Sequence, residues 1–254
     1  MLRRDRLNTI IKYLEIHKKT SIKLLADEFK ISPITIRLDI KELAKKGYVE
    51  RSHGYVSISK NKFFLGGDIS ERISMENELK VKLCKKASEY INPGDRIFID
   101  DSSTVFNIIN FIIDIPGLTI VTHSLSVMYA IRNYPHIHMV GLGGTFCNTD
   151  QAFIGEAVIN SIKKMNFNIS FMGCWNIDDI YGTTETSNNA SHIKSIAAAN
   201  SNKNIILVAS SKFKNKSEIK SISWDKITKI VTNEMPDNIS NISNRNKIVV
   251  LQPN

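Results

Sequence analysis

Ser32-Pro-Ile-Thr-Ile-Arg-Leu-Asp-Ile-Lys-Glu-Leu-Ala-Lys-Lys-Gly47 reads as one short helix with both ends marked. Ser32 suits the N-cap, Pro33 takes the first helical position where its missing N–H costs nothing, and Gly47 can adopt the left-handed turn that stops the helix. At about 100° per residue, Ile36, Ile40 and Leu43 fall on one side with Ala44 at its edge, a stripe expected to face a core. The opposite side gathers Ile34, Leu38, Lys41 and Lys45, with Thr35 and Arg37 on its flanks. Cations interleaved with short apolar groups pack poorly against protein and suit a DNA groove.

Working outward, Thr20-Ser21 precede Ile22–Phe29, a second short helix whose Leu25, Ala26 and Phe29 can pack on the first. Only Lys30 and Ile31 separate the two. Upstream, Asp5 to His17 places Leu7, Ile10, Ile11 and Leu14 on one face and predicts a third helix that closes a small core. Downstream, Tyr48 to Ile58 reads as two strands around a turn at His53-Gly54. Three helices and a hairpin make a winged helix-turn-helix, in which the third helix enters the major groove.

Charge is distributed to match. The chain of 254 residues carries a net +9, and residues 1–62 hold 15 Lys and Arg against 7 Asp and Glu, so nearly all of the excess lies in the first quarter. That suits a polyanion-binding domain attached to a roughly neutral partner domain. A solvated basic surface would give the same charge, and the helix pattern is what argues against it. Cys84, Cys147 and Cys174 are odd in number, widely spaced and without a C-x-x-C. They imply neither disulfides nor zinc and are expected as buried small hydrophobes. No apolar run follows Met-Leu-Arg-Arg-Asp-Arg, and Val105–Val121 is interrupted by Asn107, Asn110, Asp114 and Pro116-Gly117. Neither a signal peptide nor a membrane span is expected, and a cytoplasmic protein without cofactor or metal is.

Residues 59–70 read as a linker between a domain of residues 1–58 and one of residues 71–254; Phe63, Phe64 and Leu65 suggest that part of it docks. From Glu71 to Tyr90 the pattern turns helical, with Leu79, Leu83, Cys84 and Ala87 as a stripe. Buried strands are then expected at Arg96–Ile99, Leu118–Val121, His136–Val140, Ile169–Met172, Ile205–Val208, Ile230–Val231 and Ile248–Leu251. Helices fit Val105–Ile113, Leu125–Asn133, Glu156–Met165 and Ala190–Ser201, while Asn238–Asn246 reads as a turn region. Strand and helix in alternation predict an α/β domain with a mainly parallel sheet covered on both faces.

Ligands of such sheets sit beyond the carboxyl ends of the strands. That rule selects Asp100-Asp101-Ser102-Ser103-Thr104, Thr122-His123-Ser124, Gly141-Leu-Gly-Gly144 and Ser210-Ser211-Lys212. Hydroxyls, a glycine turn, a helix start and a lysine are together the parts of a phosphate cradle. Each also has a plainer role. One of Ser102, Ser103 and Thr104 can cap the helix at Val105, Gly141, Gly143 and Gly144 can be turn glycines, His123 can be structural and Lys212 solvated.

The first domain resembles the DNA-binding domain of the DeoR family of bacterial sugar-catabolism repressors. Its R-x-x-x-I start lies at Arg6–Ile10, L-A-x-x-F at Leu25–Phe29, S-x-x-T-I-R-x-D-I at Ser32–Ile40 and G-x-V-x-R-x-H-G at Gly47–Gly54. Leu38 stands where the family usually has a second Arg. From about Glu71 to Glu234 the resemblance continues, and it implies a sensor domain similar in fold to sugar-phosphate isomerases that binds a phosphorylated sugar. By position, the family's D-x-G-T-T corresponds to Asp100, Ser102, Ser103 and Thr104, its T-N-S to Thr122, His123 and Ser124, and its glycine turn to Gly143 and Gly144. Its G-x-T and following Lys correspond to Gly182, Thr184 and Lys194, and its D-x-S-K-F to Ala209, Ser211, Lys212 and Phe213. The chain departs at Ser102 (family Gly), His123 (Asn), Ala209 (Asp) and Ala190 (Glu), which implies a pocket that keeps the cations Lys194 and Lys212 and has lost two acceptors.

The expected function is a DNA-binding regulator, a repressor of carbohydrate catabolism genes released from its double-stranded operator by a phosphorylated sugar or related anion. Arg37, Lys41 and Lys45 would contact phosphates or a guanine edge, Ile34 and Leu38 thymine methyls, and Arg51 and His53 the backbone or minor groove, with Ser32 and Thr35 at the helix start. One small helix buries too little surface for operator-level affinity, so a homodimer or homotetramer is expected. Two other readings stand beside it. One is a sugar-phosphate isomerase-like enzyme with Asp100 or Asp101 as base, which the missing acids disfavour; the other is a regulator that needs no effector.

Overall fold

The computed structural model describes residues 3–45, 49–52, 54–58, 72, 77–213, 219–237, 239 and 242–252. Two compact units, residues 1–67 and 68–254, divide the chain. Gly47, Tyr48, His53 and the expected linker at 59–70 lie outside the described residues.

In the first unit, α1 (Arg3–His17) begins two residues earlier than expected and is followed by β1 (Lys19–Ser21), α2 (Ile22–Phe29), α3 (Pro33–Lys45), β2 (Val49–Ser52) and β3 (Tyr55–Ile58). Ser21 starts α2 by accepting the Leu24 N–H at 3.1 Å, and Lys30 ends it in the left-handed region at φ 52°. Leu7, Ile10, Leu14, Leu25, Ile36, Ile40, Leu43, Val49 and Val56 form the core, as the stripes predict. Complete burial of each aliphatic contributes about 1.5–3 kcal/mol. β1 escaped the sequence reading: Lys-Thr-Ser pairs antiparallel with β3, so the wing is a three-stranded sheet in the order β1-β3-β2. Asp39, on the inner side of α3, is 1% exposed and accepts Arg6 Nε at 2.6 Å and Nη2 at 3.1 Å, a fork that ties α3 to α1.

In the second unit α4 (Asn77–Ser88) leads into β4 (Arg96–Ile99), and Phe106–Ile108 form a 3₁₀ turn running into α5 (Ile109–Ile112) where one helix was expected. There follow β5 (Thr119–Thr122), α6 (Leu125–Ile131), β6 (His138–Gly141), β7 (Thr145–Cys147), β8 (Ala152–Ile154), α7 (Glu156–Ile162) and β9 (Phe167–Met172). β10 (Asn176–Asp178), β11 (Gly182–Glu185), α8 (Asn188–Ala199), β12 (Ser201–Leu207), β13 (Ile219–Lys220), β14 (Lys229–Thr232), α9 (Ile242–Arg245) and β15 (Ile248–Val250) complete it. α9 occupies part of the expected turn region.

The seven expected strands are the seven of the main sheet, in the order β15-β14-β12-β9-β4-β5-β6, and every pairing in it is parallel. Side-chain alternation splits the core. Ile97 and Ile99 face α4, α5 and α6 with Leu83, Ile109 and Val127, whereas Phe98 faces α7 and α8 with Val158 and Ile193. The split follows from connection handedness, because β4 to β6 proceed one way and β9 to β14 the other, so right-handed crossovers put their helices on opposite faces. Smaller ribbons, β7–β8 and β10–β11–β13, were not foreseen. Of the cysteines, expected as buried, Cys84 is buried and Cys147 and Cys174 are half-buried; all three are free thiols.

Candidate nucleic-acid interface and effector site

Ser32 Oγ accepts the Thr35 N–H at 3.2 Å and lies 2.8 Å from Thr35 Oγ1, so both expected contact residues are engaged in starting α3. With Ile36 and Ile40 fully buried, the rotation of the helix is set and its other face is fixed outward. Ile34 is 68% and Leu38 57% exposed, and Arg37 and Lys41 are exposed beside them. Arg51 is exposed on β2; His53 and the side chain of Lys45 lie outside the described residues. The wing also presents Tyr55, half exposed, with Lys19 Nζ 5.1 Å from its ring centre, a cation–aromatic pair missed because β1 was missed.

In the sheet, β4 and β9 lie side by side although the chain leaves β4 toward β5, and this reversal creates the crevice where parallel sheets hold ligands. Asp100 follows β4 and Gly173 follows β9. Asp100, fully buried, accepts the Ser102 N–H at 2.9 Å through Oδ1 and the Gly173 N–H at 2.9 Å through Oδ2. A Cβ on Gly173 would stand 2.0 Å from Ser102 Oγ, so the two loops meet only because residue 173 has no side chain.

Lys194 enters from α8 and donates to the Gly173 carbonyl at 3.0 Å and to Glu185 Oε1 at 2.6 Å, with Asp100 Oδ2 at 3.5 Å. All three side chains are buried. Burial lifts the Asp100 carboxyl to about 6 despite the lowering pull of Lys194, and burial raises Glu185 in the same way. For Lys194, burial opposes the ammonium, but Glu185, Asp100 and Asp101 outweigh it and the pKa is raised. Lys194, expected as a cation of the pocket, is in the structure an internal tie between two carboxylates, and Glu185, five residues ahead of Ala190, supplies an acid that the motif comparison did not assign.

The other expected residues divide. Ser124 Oγ accepts the Val127 N–H at 3.4 Å as the cap of α6, and Thr122 Oγ1 accepts the Ser124 N–H at 3.1 Å. Ser102 Oγ accepts the Thr104 N–H at 3.2 Å, and the 3₁₀ turn after it has no side-chain cap. Ser103 Oγ receives Lys80 Nζ at 3.2 Å, and the same ammonium donates to the Arg72 carbonyl. Lys80 was overlooked, though its place four and seven residues before Cys84 and Ala87 signals a lysine on a buried face. Thr184 lies buried in β11 with Oγ1 3.4 Å from the Asn176 carbonyl. Gly143 and Gly144 are exposed, and a Cβ on Gly144 would come within 2.6 Å of the Ile154 carbonyl. Lys212 is half-buried with its ammonium 4.5 Å from the centre of the Trp175 ring. His123, 1% exposed, lies nearly parallel to the Phe98 ring at 6.1 Å and beside Asp101.

Residues 75–234 match the family model described as DeoR C terminal sensor domain, and residues 6–62 match the DeoR-like helix-turn-helix domain. The chain belongs to the DeoR family. It is a DNA-binding transcriptional regulator of that family, similar to the lactose phosphotransferase system repressor of Lactococcus lactis subsp. lactis, at 28% identity over 84% of each chain. It is also similar to the L-fucose operon activator of Haemophilus influenzae, at 28% identity over 95% of this chain and 97% of the other. Ribose 5-phosphate isomerase from Plasmodium falciparum aligns with a TM-score of 0.40 and 19% identity, over 54% of this chain and 53% of that one. Among the described residues, no helix of this DeoR-family chain is long and apolar enough to cross a membrane.

Proposed function

We propose that residues 1–58 of this DeoR-family regulator hold an operator of carbohydrate catabolism genes through α3 and the wing, and that residues 71–254, joined by a linker at 59–70, release it on binding a phosphorylated sugar or related anion. The observation that carries the DNA reading is the outward face of α3. Ile34 and Leu38 are large aliphatics in water beside Arg37 and Lys41, an arrangement that costs apolar exposure unless a partner covers it. Arg37 and Lys41 contact phosphates or a guanine edge, and Ile34 and Leu38 meet thymine methyls. The effector reading is supported by the β4–β9 crevice, where Asp100 and Gly173 meet beyond the ends of the two strands and the loop residues expected at the site follow the neighbouring strands. For release, the effector binds the DNA-incompetent arrangement more tightly than the competent one.

The regulator works in the cytoplasm as a homodimer or homotetramer that reads paired half-sites. It catalyses no reaction. Fluorescence anisotropy on the DNA upstream of its own gene, with and without a panel of pentose and hexose phosphates, tests both halves. Saturable binding lowered by one of the sugars is expected, and absence of sequence-specific binding at physiological salt would refute the DNA assignment. A second reading, a regulator without effector, draws on the neutralised Lys194; no thermal stabilisation by any phosphosugar at millimolar levels would favour it.

A further inference from the structure

Thr122-His123-Ser124 follows β5 and Asp100-Asp101 follows β4, so two neighbouring strands deliver His123 and Asp101 to the same edge of the sheet. His123 Nδ1 lies 2.9 Å from the Phe153 carbonyl. A carbonyl only accepts, so Nδ1 carries the proton, and in the neutral ring Nε2 presents a bare lone pair. That Nε2 is buried, makes no hydrogen bond in the structure, and faces Asp101 Oδ1 at 3.8 Å. In the neutral ring two acceptors, one of them a carboxylate, thus confront each other, the imidazole buried and the Asp101 side chain 18% exposed. Leaving a buried acceptor without a donor is unfavourable. The ring cannot turn away without losing Phe153 and its parallel placement on Phe98.

We propose that Asp101 and His123 form the subsite for two adjacent hydroxyls of the effector, one donating to His123 Nε2 and the other to Asp101 Oδ1; this rests on the sensor reading given above. Water satisfies such a pair with its two protons, and whatever displaces that water must also bring two donors or lose affinity. A vicinal diol does so. A phosphate brings only acceptors and negative charge, so it is excluded from this corner, and the effector is oriented with its sugar hydroxyls at β4–β5 and its phosphate elsewhere. His123 is on this view a specificity-determining residue, and the departure from the family's Asn selects a pure acceptor where an amide would offer both an acceptor and a donor.

The test uses the full-length protein. Calorimetric titration with ribose 5-phosphate, fructose 6-phosphate, glucose 6-phosphate and inorganic phosphate is run on the wild type, His123→Phe and His123→Gln. Binding of at least one sugar phosphate, weakened ten-fold or more by His123→Phe, with inorganic phosphate affinity unchanged, is the expected result. Sugar phosphate binding equal in wild type and both variants overturns the subsite and leaves the sensor reading standing. No binding of any sugar phosphate by wild type overturns the sensor reading itself. Should His123→Phe fail to fold, ¹⁵N NMR of wild type labelled on histidine decides. An unprotonated Nε2 at pH 7.5 whose resonance shifts on adding the sugar agrees with the subsite, whereas a resonance that ignores a bound sugar, or an Nε2 protonated toward Asp101 in the free protein, refutes it.

Discussion

Replacing Lys194 by Met removes the ammonium that Glu185 approaches at 2.6 Å and Asp100 at 3.5 Å, while roughly preserving the volume of the side chain. Both acids are buried, so water cannot take the place of the lost charge. Leaving a buried ion partner uncompensated costs about 3–5 kcal/mol, and at pH 8 that full range is expected here. The cost also depends on pH. Asp100 already titrates at about 6 and Glu185 is raised with Lys194 present; without it both rise further, so the native variant takes up protons that the native wild type does not. The penalty therefore shrinks as pH falls from 8 to 5. Urea titrations followed by Trp fluorescence report on this unit alone, since the protein's 2 tryptophans, Trp175 and Trp224, both belong to residues 68–254. A penalty under about 1 kcal/mol at pH 8, a surface-pair value, or one equal at pH 5 and pH 8, would refute the idea of an internal tie. Adding Glu185→Leu to Lys194→Met should recover much of the loss.

Four further outcomes are expected. Arg37→Ala should weaken operator binding by about 1–3 kcal/mol if the guanidinium reads a base edge, and anisotropy titration with the protein's melting temperature as control would detect it; unchanged affinity would remove Arg37 from the interface. Asp39→Ala should cost about 2 kcal/mol of stability in the first unit by breaking the fork to Arg6, less than a fully buried pair because Arg6 can reach water; a thermal melt of the variant checks this. Gly173→Ala should destabilise by about 1–3 kcal/mol, an overpacking cost, and Ser102→Gly in the same chain should restore it, because the added Cβ meets only Ser102 and, at 3.8 Å, the Leu207 carbonyl. Finally, the Asp100 carboxyl holds its proton up to about 6 in the native state against 3.8 in the unfolded chain, so its contribution to stability falls as pH rises across that window. Asp100→Asn should lack the fall, which amounts to roughly 3 kcal/mol, and parallel unfolding curves for wild type and variant across pH 4 to 7 would contradict it.

Periodicity made the long elements legible. Ile36, Ile40 and Leu43 fixed both faces of α3 at once, and the β-branched runs of the second unit became strands of one sheet, because burial on both faces of the inner strands leaves little room for polar residues; the edge strand β6, expected as buried, is largely exposed. Strands stabilised by pairing alone left no such trace. Lys19-Thr-Ser21 is three residues long, and β10–β11 is Asn-Ile-Asp and Gly-Thr-Thr-Glu with Ile177 as its one apolar residue, so neither carries an apolar pattern. In the candidate effector site the loops were selected by their place after strands, whereas their partners in the structure come from far along the chain. Lys80 reaches Ser103, and Glu185 reaches Lys194 from a ribbon no local pattern revealed. The charge of a pocket depends on those distant partners, which is why the pairing of Lys194 with Glu185 was not legible around either residue.

The reversal of the chain at β4 also bears on how the molecule is made. Ile97 is flanked by Ile120 on one side and Ile169 on the other, so the middle of the sheet stays open until the chain has been extended past residue 172. Contacts of such long range form slowly, and synthesis proceeds from the amino end. The core of the three helices and the strand pairs of the wing are drawn from residues between Leu7 and Ile58. A nascent chain therefore holds every residue of the helix-turn-helix core while the sheet of the second unit is still an unclosed half.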